Sequence, residues 1–154
     1  DPLFYAHMEE IDLCWRIRLL GYSVMAVPGS VVYHLGGGTA IVDKFYLKQR
    51  NNLIMMIKNF SFGSLARYFP GRVVLDALSF GYFVAKRDDA RALSILKAYV
   101  SLLLKFKRVV ESRNSVQVRR RVGDKCVLQV MFKRSVAIQH YLLGRKSFGH
   151  LADS

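Results

Sequence analysis

The spacing of apolar and polar residues changes period along the chain. From Glu9 to Leu20, apolar residues recur at helical spacing, with Leu13, Cys14, Ile17 and Leu20 on one face. Glu9, Glu10 and Asp12 occupy the first turn, where the helix dipole favours negative charge; Arg16 and Arg18 sit near the last, and Gly21 supplies a left-handed stop. The pattern predicts a helix over 9–20. Ser23–Val27 and Val31–His34 are rich in β-formers and flank Pro28-Gly29, which predicts two short strands around a type II turn.

From Lys44 the period becomes helical and stays so. Phe45, Leu53, Met56, Ile57 and Phe60 mark one amphipathic helix. Ser61-Phe62-Gly63 reads as a break, residues 64–69 as a helical piece stopped by Pro70-Gly71, and residues 72–86 as an apolar helix with Asp76 embedded. Asp88 and Asp89 are N-cap candidates for a helix running to about Arg108. Arg119-Arg120-Arg121-Val122-Gly123 reads as a basic loop, and a last helix is predicted near 133–143. The best candidates for a membrane span are broken by Asp76 and by Lys97, so no transmembrane helix is predicted.

Charge divides the chain. Residues 1–42 hold two basic and four acidic residues, whereas residues 43–154 hold 22 Lys/Arg against 7 Asp/Glu. This predicts a change of role near residue 43, with 1–42 and 43–154 as separate regions. Hydrophobic content of 52% beside a net charge of +13 suits an anionic membrane surface better than nucleic acid. Cys14 and Cys126 form no disulfide framework and no metal-ligand pair by spacing, which favours a reducing compartment. The opening Asp1-Pro2-Leu3 reads as the interior of something longer.

The acidic cluster carries the candidate chemistry. Asp12 lies four residues before Arg16, the spacing of a helical ion pair. Glu10 has no such partner, and it precedes Leu13 and Cys14 on the predicted apolar face. A carboxylate at such a rim either has a raised pKa or meets a cation, and both outcomes suit a general base. The plainer alternative is that all three acids serve the helix dipole. His34 closes the second predicted strand, and Gly36-Gly37-Gly38 permits close backbone approach to a ligand.

Phe4-Tyr5-Ala6-His7-Met8-Glu9-Glu10-Ile11-Asp12-Leu13-Cys14-Trp15-Arg16, then Gly21-Tyr22, Val27-Pro28 and Val31-Val32-Tyr33-His34 with its glycines, resemble bacterial family-2 glycosyltransferases of the GT-A fold, nearest to the rhamnosyltransferase-like members. Arg50-Asn51-Asn52-Leu53 through Lys58-Asn59 and residues 135–148 resemble the tail of those enzymes more loosely. The resemblance implies an α/β fragment, the C-terminal part of a GT-A nucleotide-sugar transferase domain, followed by a mostly helical, basic tail. It implies an inverting enzyme with a nucleotide-sugar donor, a divalent metal (Mg or Mn) and a glycan or lipid-linked acceptor. The basic amphipathic helices predict peripheral attachment at the cytoplasmic face of the cell membrane. Glu10 takes the base role, with Glu9 and Asp12 beside it, and His34 the metal. Trp15, Arg16, Gly36, Gly37 and Arg50 fall to substrate. No Asp-x-Asp metal motif occurs, so a nucleotide-binding half is expected outside this chain and the chain alone is expected to be inactive. A non-catalytic membrane-surface helical module is the competing expectation.

Overall fold

The computed structural model describes residues 1–33 and 43–131. Their regular structure consists of α1 (Glu9–Leu19), α2 (Lys44–Asn59), α3 (Phe62–Ala85), α4 (Asp89–Leu104), α5 (Phe106–Arg119) and α6 (Asp124–Leu128). The chain divides into two compact units, residues 1–124 and residues 125–154. In the second unit the described part, residues 125–131, is the rest of α6 and a turn.

Within the first unit α2 is the central element and packs against α1, α3, α4 and α5. Leu47, Leu53, Ile54 and Met55 of α2 join Trp15 and Leu19 of α1, Ile95, Ala98 and Leu102 of α4, and Val109 of α5 in the core. Helix starts follow local chemistry. The Asp43, Ser61 and Asp88 side chains accept from the backbone N–H groups of Tyr46, Ser64 and Arg91, satisfying donors that a helix leaves unpaired. Helix α1 ends in a Schellman arrangement. Gly21 has φ 89°, its N–H donates to Arg18 O, and Tyr22 N–H donates to Ile17 O.

Several expectations are corrected here. First, α3 runs unbroken through Pro70. The carbonyl deprived of its donor belongs to Ala66, an exposed residue, so the helix loses that bond on its solvent side. Second, the helix expected over 88–108 is two helices separated at Lys105, and α5 extends over residues 109–118, where no element is predicted, to Arg119 at the start of the expected basic loop.

The third correction is the fold class. Among the described residues there is no strand and no sheet, which overturns the α/β GT-A fragment. Residues 22–33 are irregular and lie open, with Tyr33 96% exposed. Their β-forming composition finds no partner strand, and a lone two-stranded hairpin is marginal in water. Only the turn forms: Ser30 N–H donates to Val27 O across Pro28-Gly29 at 2.9 Å. Gly29 is not among the residues with positive φ, so the turn is not type II. Across the change of charge at residue 43, α2 bonds directly to Leu3, Ala6 and Asp12. The helix predicted near 133–143 lies outside the described residues.

Candidate active site

Helix α1 begins without a side-chain cap. His7 and Met8, just before it, both adopt left-handed backbone with φ 67° and 71°. Two consecutive non-glycine residues in that region carry strain on the order of 1–3 kcal/mol each, which persists only where surrounding contacts impose it. The contacts come from α2. Asn51 is fully buried, and its Nδ2 donates to Ala6 O and to His7 O, each at 2.8 Å. Arg50 orients Asn51 by donating from Nε to its Oδ1 at 2.9 Å, and reaches Leu3 O from its terminal nitrogen at 3.2 Å. His7 Nε2 is buried without a hydrogen-bond partner among the described residues.

The turn so held presents Glu9 and Glu10 outward, and both are exposed. Neither forms an ion pair among the described residues. The surroundings of Glu10 differ from those expected. The buried face of α1 is Asp12, Trp15 and Leu19, while Leu13 is 49% exposed. Glu10 therefore sits on the solvent side of the helix, at its electropositive end, and not at the rim of an apolar face.

Asp12 has the opposite surroundings. It is 0% exposed. Its carboxylate accepts from Arg16 Nε at 2.8 Å, Lys58 Nζ at 2.8 Å and Asn59 Nδ2 at 2.9 Å. The pair with Arg16 matches the i,i+4 spacing. Lys58 is also 0% exposed, touches Asp1 and lies 4.7 Å from the centroid of the Phe4 ring. Burial lowers the Lys58 pKa; the hydrogen bond and charge of Asp12 oppose that shift without cancelling it. Asp12 is thus the centre of a buried, paired network joining α1 to the end of α2, with three hydrogen bonds already on its carboxylate.

The remaining sequence candidates scatter. Trp15 is a core residue packed edge-on against Phe60 at 4.6 Å. Arg50 is buried and braces the turn. Arg16 is half-buried and lines a cavity of about 610 Å³ with Leu19, Arg108, Ser112 and Arg119; Glu9 and Glu10 do not line it. His34, Gly36 and Gly37 lie outside the described residues. Among the described residues no three His, Cys, Asp or Glu side chains converge as a metal site. Glu9 and Glu10 are successive helical positions that do not face each other, and Asp12 already accepts three hydrogen bonds. The residues described therefore do not assemble the implied divalent-metal site.

Sequence reasoning passed over Asn51, Lys58 and Asn59 as site residues. Their signal was available: polar residues at i, i+7 and i+8 interrupt a helix whose other members on that stripe are Leu47 and Ile54. Comparison with family models, with curated proteins and with solved structures finds no match for the chain.

Proposed function

We propose that the chain contributes the acceptor side of an inverting glycosyltransferase, with Glu10 as general base. The observation that carries this is the contrast within one acidic motif. Asp12 is consumed by Lys58, Arg16 and Asn59, whereas Glu10 is exposed and without an ion pair among the described residues, in the first turn of α1 directly after the strained His7-Met8 segment that α2 clamps in place. Strain maintained by dedicated contacts is characteristic of positions where geometry serves chemistry. The sequence resemblance supplies the reaction. A hydroxyl of a glycan or lipid-linked acceptor loses its proton to the Glu10 carboxylate as its oxygen attacks the anomeric carbon of a nucleotide-sugar. The bond from that carbon to the diphosphate breaks, and configuration inverts. No step is assigned to a metal, since the described residues do not form its site.

A positioned carboxylate contributes about 10²–10⁴-fold. In the full-length enzyme, Glu10→Gln is expected to lower sugar transfer by at least about a hundredfold while leaving nucleotide-sugar binding near normal. Mass spectrometry of the acceptor product against a donor-binding isotherm separates the two. Turnover retained within a few-fold removes Glu10 from the base role.

A second reading, a non-catalytic helical module at the cytoplasmic membrane surface, is favoured by the apolar, outward-facing side of α3. No helix of the described residues is long and apolar enough to cross a membrane, so attachment in this reading is peripheral.

A further inference from the structure

The outer side of α3 is unlike a surface built for water. Its inner side, from Phe69 through Arg72, Asp76 and Phe80 to Phe83, is half-buried or buried. Arg72 on that side reaches Gln49, Asn52 and Asp76, and Asp76 receives the Tyr99 hydroxyl, which fixes how the helix is rotated. Every exposed position from Val73 to Ala85 is apolar or glycine, with Val74, Leu75, Leu78, Tyr82 and Val84 the large ones and Leu78 66% exposed. An uncharged arc of this length is the kind of contiguous apolar surface that marks an interaction site.

Both ends of the arc carry a tyrosine beside a cation. Arg67 lies 5.8 Å from the Tyr68 ring centroid, and Lys86 lies 6.0 Å from that of Tyr82, with Arg87 next in sequence. All five residues are exposed. Tyrosine and basic side chains with apolar stems and polar tips are the residues that settle at a lipid–water boundary. At 1.5 Å per residue, the two tyrosines stand roughly 21 Å apart along the helix. That suits a helix lying in the plane of the boundary better than one crossing it.

We infer that the outer face of α3 docks on an anionic lipid bilayer, with Leu75 and Leu78 seated at the acyl boundary and Arg67, Lys86 and Arg87 at the phosphates. Charge selects this occupant. Residues 43–131 hold 18 Lys/Arg against 6 Asp/Glu, a net of +12. An anionic surface attracts that charge, whereas a second copy of the chain brings a like net charge of +13 against it. The outer arc offers no acid for a like-charged partner to meet.

The test is co-flotation of the full-length protein with phosphatidylcholine vesicles, with and without phosphatidylserine, at low and high salt. It is read without turnover and is independent of the glycosyl-transfer reading. Binding is expected only to the anionic vesicles and is expected to weaken with salt. Lys86→Glu with Arg87→Glu is expected to lower the partition coefficient more than about tenfold, since each cation near such a surface contributes on the order of fivefold or more. Val74→Glu with Leu78→Glu, which changes outward positions only, is expected to do the same with an unchanged circular dichroism spectrum. Val118→Glu, an exposed apolar position on α5, is the control expected to float like wild type. Equal flotation of the α3 variants and wild type overturns the proposal. Failure of wild type to bind anionic vesicles overturns it too, as does a sedimenting dimer that Leu78→Glu dissociates without any vesicle binding.

Discussion

Asp12 and Glu10 are two residues apart, and the fold gives them opposite fates. Asp12 is closed into the interior with Lys58, which also pairs with Asp1. Removing Asp12 leaves the buried Lys58 with Asp1 alone among the described carboxylates and takes the partner from Arg16, at a cost on the order of 3 kcal/mol. Asp12→Asn is therefore expected to lower the unfolding free energy by that order, seen as a large fall in the urea midpoint. Adding Lys58→Met to Asp12→Asn is expected to restore part of it, because the under-compensated buried ammonium goes too. Glu10→Gln removes only a favourable charge near a helix N-terminus, so its stability loss is expected to stay within about 1 kcal/mol. The pairing of Asp12 with Arg16 was legible in the sequence because both lie on one helix. Lys58 was not, since it comes from 46 residues away and only packing brings it in. The same blindness assigned α1 the wrong buried face. Leu13 and Ile17 gave a plausible stripe, but the buried positions are Asp12, Trp15 and Leu19, chosen by what α2 presents.

At the scale of elements, α2 acts as a clamp on the turn before α1. Its polar residues Arg50 and Asn51 bond to backbone carbonyls of Leu3, Ala6 and His7, and so impose the strained conformation of His7 and Met8. Asn51→Ala is expected to destabilise the protein by about 1–3 kcal/mol, the cost of leaving buried carbonyls unpaired. Asn51→Asp keeps the shape but loses both donors, so it is expected to behave alike. In both variants amide hydrogen exchange at residues 7–9 is expected to accelerate more than in α4; equal acceleration everywhere argues against a local clamp. Helix ends were legible where a capping residue or glycine signals them, as at Asp88 and Gly21. They were misjudged at Pro70, tolerated on an exposed turn, and at Lys105, where neither Gly nor Pro marks the break. Residues 23–33 show the converse limit. Their composition favours strand, but a strand needs a neighbour, and the described residues offer none.

Over the whole first unit, carboxylates do work that its modest apolar core leaves undone. Asp43 caps α2 and accepts the Ser94 hydroxyl from α4. Asp124 accepts Ser61 N–H at 2.9 Å at the start of α3 and pairs with Arg120 at 2.8 Å. Burial alone raises both pKa values, but hydrogen bonds outweigh it, from Ser94, Tyr46 and Phe45 at Asp43 and from Ser61 and Ser64 at Asp124. The nearby charges of Lys97 and Arg120 help, and both carboxyls end below the ordinary value of 3.8. A depressed folded pKa means that the unfolded chain binds protons first as pH falls. The stabilisation is therefore fully present above the unfolded pKa near 4 and is lost as pH drops through the lower folded values. Urea midpoints are expected to be nearly flat from neutrality to about pH 5 and to fall steeply below pH 4. Asp124→Asn is expected to unfold more easily at neutral pH and to show a shallower acid limb, because one of the two linked groups is gone. An acid limb as steep as wild type would place the linkage elsewhere.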